Sequence, residues 1–288
     1  MRGIFTAAYL AELERALGTP LIEIVDLVVG TSTGGIIGLG LASGRSPEEM
    51  LDLYAERGPE IFRRPRRLAM WLFRPRYDRQ SLDAVLRETF GEMKMNDLRK
   101  HVCITAHELV EGTTRVWKDD HAPGLRGGGE QLIWKVAAAT AAAPTFFAPM
   151  QLGSQDSHVD GGVWANNPAL VGITEAVRYF GCALDDIRLL SVGTTSRVLR
   201  VRSHQDALKM GLVSWARKTT DLLQGTVSMA SDRQAALLLP DGHYLRVDSD
   251  QAEKIRLDDV SACRPLQERG EQKARMTTRQ VKQVLVLS

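Results

Sequence analysis

Apolar and polar positions along the chain fall into short blocks whose period switches between helix and strand. Ile4, Ala8, Leu10, Leu13 and Leu17 recur at roughly helical spacing and predict an amphipathic helix over residues 3–17. Residues 26–30 read as a buried strand, and residues 34–42 as a helix kept thin by Gly34, Gly35, Gly38 and Gly40. Ser46-Pro47-Glu48-Glu49 has the form of a helix start: a hydroxyl cap, a proline in the first turn, then acidic residues. Leu82, Val85, Leu86 and Phe90 after Ser81 predict another helix. Residues 101–109 are strand-like, residues 124–130 a glycine-rich loop, and residues 133–144 an alanine-rich helix stopped by Pro144. Residues 187–195 predict a buried strand running into a Gly/Thr loop, and from about residue 200 the chain is more polar and helical. Strands alternating with helices imply the α/β class with a largely parallel sheet.

Composition narrows the function classes. The 288 residues carry a formal net charge of +2, which argues against a nucleic-acid polymer as partner. No apolar run approaches the ~18 residues needed to span a bilayer, and the first residues do not have the form of a secretory signal. Cys103, Cys182 and Cys263 have neither metal-ligand nor CxxC spacing, so the sequence predicts a reducing, cytoplasmic setting and calls for no metal and no cofactor.

The chemistry centres on "VVGTSTGGII", residues 28–37. Glycines on both sides of Ser32, between a strand and a helix, allow a tight turn and leave the hydroxyl approachable. The N–H groups and dipole at the start of the helix favour negative charge developing there. This is the pattern of a nucleophile elbow, with Ser32 central and Gly30, Thr33 and Gly34 around it. By pattern alone it also fits a helix-capping turn or a phosphate loop, although it has no Walker A lysine.

A serine hydroxyl needs a base. Of the six histidines, His101 and His107 flank a strand and read as packing residues, and His121 and His204 lie in polar, loop-like surroundings. His243 lies late in the chain, where an α/β-hydrolase places its histidine, and is the candidate base of a conventional triad. The stretch "HVDGGVWANNPAL", residues 158–170, offers Asp160 before Gly161-Gly162, a carboxylate presented from a turn with no side chain in the way; an ordinary Asp-Gly turn has the same form. Asn167-Pro168 marks a helix start.

Together these motifs resemble the patatin-like phospholipases, whose elbow serine and downstream Asp-Gly-Gly form a dyad without histidine. Gly30-Thr31-Ser32-Thr33-Gly34 matches the first motif and Asp160-Gly161-Gly162 the second. "AAATAAAPTFFAP" (137–149), "NNP" (166–168) and "LLSVGTT" (189–195) resemble further signatures, so the likeness covers most of residues 2–196. The resemblance implies a three-layer α/β/α fold with a largely parallel central sheet. It implies a single domain over 1–288, with a catalytic core of about 2–200 and a C-terminal extension, 201–288, packed on it. It implies a lipid acyl hydrolase in which Ser32 attacks the ester carbonyl to form an acyl-enzyme, and Asp160 takes the serine proton and later activates water. Burial would bring the carboxylate, ordinarily near 4, closer to this task. If the segment is extended, His158, two residues from Asp160, shares its face and could tune it or contact lipid, with no catalytic role assigned to it.

The family also carries a strand and an Asp-Gly-Gly-Gly-x-Arg-Gly oxyanion loop before the first helix. Here only Arg2-Gly3 matches its end, and Gly3 is the one remnant of that loop. One oxyanion donor is worth about 2.7–4 kcal/mol in a measured case. The expectation is a start assigned too late, with a truncated enzyme of little activity as the alternative.

Residues 63–79, "RRPRRLAMWLFRPRYDR", hold seven arginines around an apolar cluster. Arginines near an anionic bilayer contribute about 1 kcal/mol each, and Trp and Phe enter the interfacial layer. Arg66, Arg67, Trp71 and Phe73 are therefore candidates for docking on a peripheral membrane surface, the inner face for a cytoplasmic protein; a solvated basic loop with its aromatics in the core is the other reading. Some bacterial members of the family act in anti-phage systems and are switched on by cyclic nucleotides, so the resemblance leaves room for a cyclic-nucleotide activator.

Overall fold

The computed structural model describes residues 1–63, 70, 73–125, 127–195, 199, 201, 203–249 and 255–287. The chain begins with α1 (Gly3–Leu17), then β1 (Leu27–Thr31), α2 (Thr33–Ala42), α3 (Pro47–Asp52) and α4 (Gln80–Phe90). A hairpin follows, β2 (His101–Glu108) and β3 (Thr113–Lys118), then α5 (Ile133–Thr140). β4 (His158–Asp160), α6 (Ala169–Tyr179) and β5 (Leu189–Val192) complete the region around the elbow. The remainder is α7 (Leu212–Leu238), β6 (Tyr244–Val247) and α8 (Cys263–Leu285).

β2 is the hub of the main sheet. One of its edges carries β1, parallel, with Leu27 opposite His101 and Thr31 opposite Thr105. Just beyond the end of β1 it carries β4, antiparallel, with Asp160 opposite Ala106. The other edge carries β3, antiparallel. β5 and β6 form a separate parallel pair. The parallel component expected from the strand–helix alternation is thus found in β1–β2 and β5–β6, while the β2–β3 hairpin and the returning β4 make the main sheet mixed. The sequence reading missed β3, whose exposed Thr-Thr-Arg start carries no apolar run to mark it.

Period-2 alternation gives the layers. Val28, Val102, Ile104 and Ala106 face a core shared with α2, α4 and α5. On the opposite face, Gly172 of α6 lies against Val29, where an added Cβ would sit 3.2 Å from the valine methyl. α6 in turn packs on α7 through Ile173, Ala235 and neighbouring apolar residues. Helices therefore cover both faces of the sheet, which is the α/β/α layering the resemblance implies.

The predicted helix over 3–17 forms, but its first two turns are buried all round rather than on one stripe. One side meets α2, and another meets α8, where Gly270 allows approach to the Phe5 carbonyl and Tyr9 Oη lies 3.0 Å from Thr277 Oγ1. Ser46 caps α3 as expected: its Oγ accepts the Glu49 N–H (3.1 Å) while Glu49 Oε2 accepts the Ser46 N–H (2.7 Å). The alanine-rich helix ends at Thr140, four residues before Pro144. The Ala142 carbonyl leaves the helical pattern to accept the Asp160 N–H (3.0 Å), so strand pairing overrides propensity there. Among the described residues, no helix is long and apolar enough to cross a membrane.

Candidate active site

Ser32 sits between the end of β1 and the start of α2 with φ 55° and ψ −125°. A positive φ on a non-glycine residue costs on the order of 1–3 kcal/mol and persists only where the surroundings impose it. Here they do. The Ser32 N–H donates to Thr140 Oγ1 (2.8 Å) at the end of α5. The Ser32 carbonyl accepts the Gly35 and Ile36 N–H groups (2.9 and 3.1 Å), which starts α2. Gly30 lies against the turn it precedes: a Cβ there would be 2.5 Å from the Gly34 carbonyl oxygen and 2.6 Å from the Gly35 Cα, so only glycine fits. A Cβ on Gly34 would meet nothing within 4 Å, which leaves that side of the elbow open.

Asp160 ends β4 and reaches the same point from the other motif. Ser32 Oγ donates to Asp160 Oδ2 at 2.6 Å, and the Gly162 N–H donates to Asp160 Oδ1 at 2.7 Å. Gly161 is pressed on β2, where a Cβ would lie 2.5 Å from the Thr105 carbonyl oxygen. Thr31 Oγ1 donates to the Ala165 carbonyl (2.6 Å) and therefore accepts from Thr105 Oγ1 at 2.7 Å, tying β1, β2 and the loop after Asp160 together. Trp164 Nε1 donates to the Ala106 carbonyl (2.9 Å) and pins the same loop. Asp160 is 6% exposed, and burial pushes its carboxyl from the ordinary 3.8 up to about 6 against the opposing pull of the Ser32 hydroxyl and Gly162 N–H.

The N–H groups in the first turn of α2, at Thr33 and Gly34, have no partner within the helix. Gly3 at the start of α1 lies against Thr33, where an added Cβ would be 2.9 Å from Thr33 Cβ, and Tyr54 Oη donates to the Thr33 carbonyl (3.1 Å). α1 is fixed to the end of β5 by Thr6 Oγ1 donating to the Gly193 carbonyl (2.7 Å) and Arg2 donating to the Thr195 carbonyl (2.8 Å).

The histidines lie elsewhere. His243 precedes β6, and its carbonyl accepts the Leu189 N–H (2.9 Å) at the entry to β5. That is one strand length, about 13 Å, from the Gly193 end that meets α1. His158 is 2% exposed, and its ring packs against Trp117 at 5.3 Å, out of reach of a lipid. His121 lies in the loop after β3 among polar neighbours, Asp119 and Glu175, and its side chain is fully buried there. Of the basic segment, Arg66, Arg67 and Trp71 lie outside the described residues. Phe73 is 88% exposed. Arg76 and Arg79 are engaged inward, Arg76 with Asp258 (3.3 Å) and Arg79 with Asp83 (3.0 Å). Thr140, Thr105 and Thr31 are the site residues sequence reasoning missed. The one available signal was a lone hydroxyl inside the alanine run of 137–143.

A buried carboxylate on a serine hydroxyl held at a strained strand–helix turn is the arrangement expected of a serine hydrolase of the α/β class. Residues 1–173 match the profile of the patatin-like phospholipases. The chain is 32% identical to a cGAMP-activated phospholipase of Pseudomonas aeruginosa over 93% of its own length and 83% of the relative's. A cGAMP-activated phospholipase of Vibrio cholerae is also 32% identical, over 91% and 83%. Patatin-like protein 4 of Arabidopsis thaliana is 28% identical over 90% and 76%. The chain belongs to the patatin-like phospholipase family, the lipid acyl hydrolases that cleave carboxylic esters.

Proposed function

We propose that this protein hydrolyses the fatty-acyl esters of membrane phospholipids through Ser32 and Asp160. The observation that carries the reading is the 2.6 Å Ser32 Oγ–Asp160 Oδ2 hydrogen bond, made by a carboxyl whose burial raises it to about 6. Asp160 takes the hydroxyl proton as Ser32 Oγ bonds to the ester carbonyl carbon. The tetrahedral oxyanion is met by N–H groups at the start of α2, Thr33 and Gly34, on the side where Gly34 leaves open space. Collapse expels the lysophospholipid alkoxide, which takes the proton from Asp160 and leaves an acyl-serine. A water then gives its proton to Asp160 and its oxygen to the acyl carbon, and Ser32 leaves with the proton to restore the hydroxyl.

Phe73, Met70 (49% exposed) and the exposed Arg74 support docking on an anionic bilayer surface, an aromatic and an aliphatic side chain beside a cation. Two bacterial relatives named for activation by cGAMP, similar over nine-tenths of this chain, support control by a cyclic dinucleotide.

The test is fatty-acid release from phospholipid vesicles, with and without cGAMP. Ser32→Ala abolishes release, Asp160→Asn lowers it by about 10²–10⁴, and His243→Ala leaves it unchanged. Phe73→Asp slows release from vesicles but not hydrolysis of a short soluble ester, and cGAMP raises the rate. Loss of activity in His243→Ala with Asp160→Asn unaffected would instead assign a conventional triad. Vesicle binding without hydrolysis in every condition would assign a lipid-binding scaffold.

A further inference from the structure

A second cluster of ionisable side chains closes around a buried imidazole at the other end of the sheet. The parallel register sets Leu27 opposite His101 and Thr31 opposite Thr105, so His101 is about 13 Å along β2 from the level of the elbow. β3 runs back to that end, and Asp119 and His121 follow it. His101 Nδ1 lies 2.6 Å from Asp119 Oδ2. Asp119 Oδ1 accepts the Val102 N–H (3.0 Å) and faces His121 Nδ1 at 3.2 Å. The ligand atoms these three residues offer all fall within 4.8 Å of one another.

His121 is the informative member. Its side chain is 0% exposed and its ring stacks on Phe180, with centroids 4.9 Å apart and planes at 11°. Its Nε2 lies 2.8 Å from Glu175 Oε1 on α6, and Glu175 Oε2 pairs with Lys118 Nζ at 2.5 Å. Its Nδ1 has no hydrogen-bond partner. A neutral imidazole carries one N–H. Glu175, an acceptor held by Lys118, places that hydrogen on Nε2 and leaves the Nδ1 lone pair beside the Asp119 carboxylate, off the line that joins the two atoms. Two lone pairs 3.2 Å apart, away from solvent, repel unless a cation lies between them. Two ligands bonded at about 2.1 Å to one tetrahedral ion stand roughly 3.4 Å apart, close to this spacing. A carboxylate on the far nitrogen of the imidazole is the usual support for a metal-ligating histidine.

We propose that His101, Asp119 and His121 bind one divalent transition-metal ion of the zinc type, with Glu175 as the positioning residue for His121. Two imidazoles and a carboxylate suit Zn²⁺ or Co²⁺ and not Ca²⁺ or Mg²⁺. His101 side chain, 44% exposed, can swing to widen its contact with Asp119 and leaves a fourth position for water. The ion joins the start of β2, the end of β3 and, through Glu175, α6. It is a structural clip remote from Ser32 and independent of the ester chemistry.

The experiment uses the full-length, tag-free chain stripped of metal by a chelator. Zn²⁺ is titrated by calorimetry, Co²⁺ by visible absorption, and the thermal midpoint is followed with each. Expected are one equivalent of Zn²⁺, the intense visible bands of four-coordinate Co²⁺, and a higher midpoint on loading. His101→Ala, at a half-exposed position, folds as wild type by circular dichroism and binds at least about 10-fold more weakly; Glu175→Gln costs about 10–100-fold. No stoichiometric binding by the wild-type chain would overturn the proposal and assign a proton to the gap. Equal Zn²⁺ affinity in wild type and His101→Ala would overturn it as well.

Discussion

Ser32 Oγ and Asp160 Oδ2 lie 2.6 Å apart although 128 residues separate them in the chain. The contact is made because β1 and β4 share one edge of β2, β1 ending at Thr31 opposite Thr105 and β4 ending at Asp160 opposite Ala106. Adjacent partners on one strand bring two chain ends to the same point.

The carboxyl of Asp160, raised by burial to about 6, sets the pH dependence of that contact. In the proposed reaction the base must be ionised, so activity is expected above about pH 6 and lost below it. The expected kcat/KM profile rises through pH 6 with unit slope and levels off above it, measured on a soluble ester whose binding does not titrate. A limb centred near 4 would show that burial does not set the base.

The same burial costs stability. The folded protein holds the Asp160 proton up to about pH 6, whereas the ordinary value is 3.8. This group's penalty is therefore absent below 3.8, grows between 3.8 and about 6, and is complete above, at on the order of 3 kcal/mol. Asp160→Asn, which keeps an acceptor for the Gly162 N–H, is expected to unfold several degrees higher than wild type at pH 7.5 and at nearly the same temperature at pH 4. Thermal unfolding at the two pH values checks this, and an equal difference at both would refute it.

Thr140 is expected to hold the elbow. Thr140→Val keeps shape but leaves the Ser32 N–H without its acceptor, at a cost of about 1–3 kcal/mol, and lowers kcat by freeing the turn. Thr140→Ser restores the acceptor and both properties. Denaturant unfolding alongside kcat separates this from a simple packing effect.

Gly30→Ala drives a Cβ to 2.5 Å from the Gly34 carbonyl oxygen, and backbone must move. The expected loss is about 1–3 kcal/mol or more. Esterase activity falls further than stability does, because the displaced atoms carry Ser32. Activity retained in a folded Gly30→Ala protein would show that the turn tolerates the shift.

The chain's own order determined much of this. Period-3.6 blocks marked α1 and α4, an apolar glycine-rich run marked α2, the Ser46 cap marked α3, and the glycines around Ser32 and after Asp160 marked the two halves of the site, because tight turns restrict residue type locally. β3 and β6 were not legible: they are short or polar and become strands only by pairing with partners already in place. Thr140 and Thr105 were equally hidden, since a hydroxyl that serves another segment leaves no periodic trace in its own. Tertiary structure alone brought Asp160 rather than His243 to the serine, and gathered His101, Asp119, His121 and Glu175 from three elements into one cluster. Local sequence specifies dihedrals and apolar faces, whereas which polar atoms meet is settled by strand register across distant parts of the chain.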